Sequence, residues 1–452
     1  MSARRRRALA VLGCAAALTF AGVAGSAAAP APAPDACPGC VIAGAGRAAL
    51  AVPEGTPLAG YGGWPRRLIV PDVLDRYPHA FWFKPGKRDG DSLSARALVL
   101  ERDDTRVVWV ALDLIAVDRA FSETVASRLR QAGARPGVLI VSASHTHSGP
   151  GAFVDGMLMG FLAVDREDSA VREALLTAVV EAVRRADEAR APARVAIGVS
   201  AAPPVVRSRL HGPLDPEIVV LAVRRIGGAP VAAVWNFAIH GTMLGATNLT
   251  LSGDVMGAAT DALERVVRAP VLYVNGAVGD VSPARHGRAA LPEVAAALAD
   301  AARAAWQRAT PIGVGPLVAR VLRIELPSPR LSLHNCLGGW MPAAITMPLD
   351  GAFPTETTLT GVALGDAAWV ALPGEPATAL GLRIKAEARR SFRHAFVVGV
   401  SNDYVGYLVT AADHGRPSYP TCGSVYEART GDDVAERALT LLRELYAAGR
   451  GR

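Results

Sequence analysis

Beyond its first two dozen residues, the sequence has no apolar run of the ~20 residues that a membrane-crossing helix requires. Cysteine is scarce, with five in 452 residues. Cys37 and Cys40 form a C-x-x-C, but no further cysteine or histidine stands nearby to complete a zinc knuckle. Charge of either sign is nearly balanced. The formal net charge of +7 includes Arg4 to Arg7, and without those four it is about +3. That excess is too small to argue for the clustered basic face a nucleic-acid binder needs. Internal repeats are also absent, which removes solenoids and propellers from consideration.

What the N-terminus does have is an export pattern. Arg4 to Arg7 precede an apolar run from Ala8 to about Val23, and small residues follow at Ala27 to Ala29. Charged, greasy and small-residue zones in that order make residues 1–29 a signal peptide. The expected location is therefore secreted, periplasmic or cell-surface, with a lipid anchor at Cys14 left open. Residues 30–41 read as a stiff Pro/Ala tether carrying the C-x-x-C. In an exported chain cysteines pair, and Cys37–Cys40 with Cys336–Cys422 is a pairing the sequence allows.

Residues 42–452 read as one large α/β domain, mixed β-sheets flanked by helices, because short apolar runs intermix with longer amphipathic ones. Strands are expected at Arg106 to Leu112, Gly137 to Ala143, Ile218 to Arg224, Pro230 to Ala238, Val271 to Asn275 and, further on, Ala368 to Leu372 and Ala395 to Val400. Helices are expected at Arg119 to Gln131, Asp165 to Arg190, Ser252 to Arg268, Leu291 to Arg308, Pro376 to Arg389 and Asp433 to Ala448. Pro53 to Ser94, rich in Pro, Gly and aromatics, is a long irregular stretch suited to a rim or lid.

Chemistry-bearing residues fall just past strand ends, where ligands gather in α/β sheets. The strand ending at Ala143 runs into Ser144-His145-Thr146-His147-Ser148-Gly149-Pro150-Gly151. The strand ending at Ala238 is followed by His240, then Ser252 and Asp254, which suit a helix cap. Val271 to Asn275 leads to Gly279-Asp280-Val281-Ser282-Pro283, Ala368 to Leu372 to Pro373-Gly374-Glu375, and Ala395 to Val400 to Asn402-Asp403-Tyr404-Val405-Gly406-Tyr407. Histidines beyond two different strands, with a carboxylate beyond a third, suit a converging metal centre.

These segments, in this order, resemble the neutral ceramidases: GYG at Gly60 to Gly62, SASHTHSGPG at Ser142 to Gly151, H-x-T…N…S-x-D-x-x-G from His240 to Gly257, GDVSP at Gly279 to Pro283, PGE at Pro373 to Glu375 and N-x-Y-x-x-Y at Asn402 to Tyr407. The resemblance implies one zinc ion per chain held by His145, His240, Glu375 and Tyr407. It implies catalytic roles around the scissile amide for His147, Arg207, Ser282 and Tyr419, with Arg207 taken from Val206-Arg207-Ser208, where the family has Asn-Arg-Ser. It further implies cleavage of the N-acyl bond of ceramide or a related lipid amide by zinc-activated water, Ser282 being the less favoured nucleophile.

Departures are also visible. Arg416-Pro417-Ser418-Tyr419-Pro420-Thr421-Cys422 replaces the family's usual tyrosine segment, Ala284-Arg285-His286 follows GDVSP, and no immunoglobulin-like domain is expected after the catalytic one. Two alternatives therefore stand beside the lipid-amide reading. One is a zinc hydrolase of an ester, lactone or small N-acyl compound, and the other a non-catalytic exported binding protein. The expected partners are that small substrate and, peripherally, membrane surfaces, without nucleic acid; oligomeric state is not legible.

Overall fold

The structure is a computed structural model that describes residues 37–87 and 90–451. The proposed signal peptide and most of the tether lie outside the described residues.

Two sheets pack face to face, each covered on its outer side by helices. The first runs, in spatial order, Val138–Ala143, Thr105–Leu112, Ser94–Arg102, Val41–Ala49, Ala191–Ala201, Glu217–Arg225, Pro230–Phe237 and Val271–Asn275, with the short Thr310–Pro311 added beside Ala191–Ala201. Its two outermost pairs are parallel and those between are antiparallel. The second runs Leu317–Glu325, Glu356–Leu364, Ala367–Ala371 and His394–Val398. Their inner faces are nearly continuous apolar runs, as strands covered on both sides must be. Trp109 of the first sheet stacks on Trp369 of the second, with ring centroids 5.5 Å apart.

Helices Arg119–Gln131 and Ser169–Glu188 cover one half of the first sheet, and Asp254–Val267 and Leu291–Arg308 the other. Thr378–Ala388 and Thr430–Arg450 cover the second. The mixed-sheet α/β expectation holds, and helix and strand bounds agree within a few residues. One helix starts late. Asp165 takes a left-handed conformation (φ 70°), so the helix expected from Asp165 begins at Ser169, where the Asp168 carboxylate caps the Ala170 and Val171 N–H groups.

Three strands of the first sheet, Val41–Ala49, Ser94–Arg102 and Ala191–Ala201, were not among the expected elements. Their sequences are rich in Ala and Gly because helices lie hard against them. A Cβ on Gly44 would meet Ala186 O at 2.1 Å, and one on Gly198 would meet Ala305 O at 1.9 Å.

Both expected disulfides are present, Cys37–Cys40 and Cys336–Cys422. No described helix is long and apolar enough to cross a membrane.

Candidate active site

The carboxyl ends of the outer strands of the first sheet are drawn together by residues from the second. Ala143 N donates to Val400 O (3.0 Å), Gly399 N to Asn275 O (3.0 Å) and Val400 N to Gly374 O (2.8 Å). Val400 is held at φ 52°, an unfavourable region for a β-branched residue. His145 (φ 65°) and Asn402 (φ 64°) are left-handed as well. Three left-handed non-glycine residues thus sit at the seam, where several strand ends converge.

His145, His240 and Glu375 meet there, all buried. His145 Nδ1 faces Ile115 O at 2.6 Å and His240 Nδ1 faces Val278 O at 3.2 Å. A carbonyl only accepts, so each Nδ1 carries a proton and each Nε2 is the atom turned towards the centre. The two Nε2 atoms are 3.0 Å apart, and Glu375 Oε2 lies 3.3 Å and 3.4 Å from them. That oxygen has no hydrogen-bond partner, whereas Oε1 accepts from the Tyr404 hydroxyl at 2.7 Å.

Burial pushes His240 well below the ordinary imidazole value, keeping it neutral. Glu375 is raised by burial, but His145 and the Tyr404 hydrogen bond outweigh that and hold it below the ordinary carboxylate value. A buried carboxylate and two imidazole nitrogens therefore converge on one point, a donor set suited to a metal cation. Donors about 2.0–2.1 Å from a tetrahedral metal sit roughly 3.3 Å from each other, so this trio fits one.

His145, His147 and His240 also form a group that could hold a metal, their donor atoms lying within 4.8 Å of one another. The trio containing Glu375 is tighter. His147 is buried with neither ring nitrogen hydrogen-bonded, and burial pushes it well below the ordinary imidazole value. Gly60 makes room for the ring: it has φ 110°, and a Cβ there would lie 2.6 Å from His147 Nδ1.

Tyr407 pairs with Glu375 in a short parallel bridge between Glu375–Pro376 and Tyr407–Leu408, which brings both to the same rim. Its ring lies 5.8 Å from that of Tyr419. Ser282 is buried, and Oγ accepts from Arg209 Nε at 2.6 Å. No histidine is hydrogen-bonded to it, so Ser282 lacks the base of a nucleophilic serine.

Arg207 does not join this group. Its backbone pairs with Ser282, but its side chain is exposed and has no hydrogen-bond or ion-pair partner among the described residues. Arg209, two residues on, is the guanidinium that faces the centre. Nη1 is 3.4 Å from the Tyr407 hydroxyl and its carbon 5.9 Å from the Tyr419 ring centroid. Of the Arg-Ser-Arg run, the structure therefore turns Arg209, not Arg207, towards the candidate centre.

Two further residues escaped the sequence reading. Tyr404 was seen only as part of a motif, although it orients the Glu375 carboxylate. Arg66 is buried (1% exposed) and donates to His147 O (2.6 Å), Ala59 O (2.8 Å) and Asn248 O (3.0 Å). Among the described residues no carboxylate pairs with it, so carbonyls satisfy a desolvated cation. Asp254, the expected cap, instead accepts from Met243 and Leu244 N–H groups and fixes the loop after His240.

The centre lies at the floor of a cavity of about 490 Å³. Ile115, Val117, Phe153, Leu158, Met159 and Phe353 give it apolar walls, while Asp118, Asp155 and Asp350 add carboxylates.

Comparison with known proteins agrees with this architecture. The family described as neutral/alkaline non-lysosomal ceramidase, N-terminal, matches residues 91–302. Neutral ceramidase B of Dictyostelium discoideum is 26% identical over 223 residues, which is 43% of this chain and 31% of that protein. Neutral ceramidase of Mycobacterium tuberculosis is 29% identical over 203 residues, 42% of this chain and 30% of that protein. The matched segments thus span about a third of those relatives' length. A crystal structure of neutral ceramidase from Pseudomonas aeruginosa superposes with a TM-score of 0.76 over 90% of this chain and 75% of that one, at 19% identity, and so shares the fold. Residues 91–302 thus match the neutral/alkaline non-lysosomal ceramidase N-terminal family, and the chain as a whole shares the neutral ceramidase fold.

Proposed function

We propose that this protein is an exported, zinc-dependent amidohydrolase that cleaves the N-acyl bond of ceramide or a related lipid amide, releasing a fatty acid and an amine. The observation that carries the reading is the convergence of His145 Nε2, His240 Nε2 and Glu375 Oε2 within 3.0–3.4 Å of one another beside an apolar-walled cavity. Imidazole and carboxylate donors suit zinc, and Tyr407 stands beside them on the same rim. A zinc ion held there supplies Lewis acidity, polarising a carbonyl and acidifying water.

The protein's own groups then have distinct tasks. His147, neutral and with both ring nitrogens uncommitted, can take a proton and return it to the departing amine. Arg209 and the Tyr407 and Tyr419 hydroxyls offer donors to charge developing on the carbonyl oxygen. Apolar walls accept an acyl chain and exclude water. The N-terminal export pattern and the two disulfides support an oxidising, extracytoplasmic location.

The test is fatty-acid release from a fluorescent N-acyl ceramide, measured with and without a chelator and in His145→Ala. Chelator-sensitive release that vanishes in the variant is expected. One equivalent of zinc with ceramide left intact would transfer the site to an ester, lactone or small N-acyl substrate. A protein that binds no divalent metal would sink the reading.

A further inference from the structure

Residues Ile69 to Leu74 hold four aliphatic side chains out in solvent: Ile69 is 89% exposed, Val70 61%, Val73 68% and Leu74 75%. Trp64, nearby in the sequence, is 72% exposed. Monomer surfaces rarely leave such a group uncovered.

The tip is not loose. Asp72 is buried, and its carboxylate accepts from Tyr77 N at 2.6 Å, while its own N–H donates to Phe81 O at 2.9 Å. Asp165 accepts from the backbone N–H groups of Phe81, Trp82 and Phe83. Buried Arg66 anchors the base of the same loop. A rigid frame therefore presents the apolar residues outward.

The tip also stands next to the mouth of the cavity. Leu68 N donates to Trp82 O at 3.0 Å, and the Trp82 ring meets Phe161 edge-on with centroids 5.2 Å apart. Phe161 is two residues from Met159 in the cavity wall. Cations flank the tip: Lys84 Nζ sits 4.4 Å from the Trp64 ring centroid, and the Arg67 guanidinium 4.1 Å from that of Phe161.

We infer that Ile69 to Leu74, with Trp64, is a docking prong that inserts into a lipid–water interface and brings the cavity mouth against it. Aliphatic tips enter the acyl region, the indole lies at headgroup depth, and Lys84 meets lipid phosphates. This rests on the lipid-amide reading for its purpose but not for its test.

The experiment is co-sedimentation of the full chain with phosphatidylcholine vesicles, with or without a fifth of anionic phosphatidylglycerol, comparing wild type, Ile69→Ser/Leu74→Ser and Lys84→Glu. Hydrolysis of a water-soluble short-chain N-acyl amide is read in parallel. Binding that falls at least tenfold in the double variant, rises with anionic lipid in wild type and loses that rise in Lys84→Glu is expected. Turnover of the soluble amide and the melting temperature should stay unchanged. Wild type that ignores vesicles, a double variant that binds as well as wild type, or a concentration-dependent dimer that the double variant dissolves would each overturn the prong. Vesicle binding without any amide turnover would instead count against the lipid-amide reading and leave the prong standing.

Discussion

Arg209 Nε donates to Ser282 Oγ across 2.6 Å, bridging the ends of two short paired strands, Val206–Ser208 and Val281–Pro283. A hydroxyl engaged by a cation is a positioned acceptor, not an activated nucleophile. Ser282→Ala should retain activity within about tenfold, while Arg209→Gln should lose on the order of 100-fold in kcat/KM, the scale of removing one charged transition-state donor. Arg207→Ala should be silent. Steady-state kinetics on one N-acyl substrate check all three, and a dead Ser282→Ala would reinstate the serine.

Metal content offers a check that does not depend on substrate. Elemental analysis after dialysis should find about one divalent ion per chain in wild type and far less in His145→Ala or His240→Ala. Chelation should also lower the melting temperature, since a ligand that binds only the folded state stabilises it. Glu375 loses its orienting hydrogen bond in Tyr404→Phe, which should weaken metal affinity on the order of tenfold while sparing the fold.

Gly60→Ala combines two penalties: a positive φ and a Cβ placed 2.6 Å from His147 Nδ1. The ring must move, yet His145 and His240 keep their carbonyl partners. Metal stoichiometry should be retained and kcat should fall on the order of tenfold or more, because small displacements of a proton-transfer group are costly.

Lys385 is buried with Nζ 2.7 Å from both Asp215 Oδ2 and Glu217 Oε2. Lys385→Met would strand these carboxylates and should cost about 3 kcal/mol in denaturant unfolding. Hydrogen bonds from Arg389 and then Lys385 hold Glu217 at about 2, down from an ordinary 4.5. A depressed carboxylate contributes stability that is fully present above about 4.5 and is lost as pH falls towards about 2. The melting temperature of wild type should drop through that window more steeply than that of Glu217→Gln.

The Cys336–Cys422 bridge closes the short helix Tyr419–Cys422, which carries a wall of the site. Replacing both cysteines by serine should cost about 2–4 kcal/mol and reduce kcat through Tyr419. Thermal melts with and without reductant, beside activity, separate the two effects.

Much of this centre was legible in the sequence because its donors follow strands with strong apolar signals. Val138–Ala143 and Pro230–Phe237 announce themselves, so His145 and His240 could be placed beyond two strand ends without coordinates. Glu375 and Tyr407 needed the family resemblance, since nothing local distinguishes a carboxylate at a helix mouth from a dipole partner. The arginine was ambiguous for a different reason: Arg207 and Arg209 share one chemistry two residues apart, and only the course of the chain past Ser208, which sets Arg209 Nε against Ser282 Oγ, decides which one faces inward. Likewise, Val41–Ala49 and Ala191–Ala201 were invisible as strands because close helix packing had exchanged their β-branched residues for Gly and Ala.

The seam that unites the two sheets has a consequence for how the protein can fail. His145 and His240 follow strands of the first sheet, while Glu375 and Tyr407 follow strands of the second and pair in a short bridge of their own. No contiguous half of the chain contains all four proposed donors, so a fragment on its own cannot assemble the centre. Activity then becomes a census of intact molecules: whatever fraction of a preparation turns over substrate is the fraction whose two layers are still married.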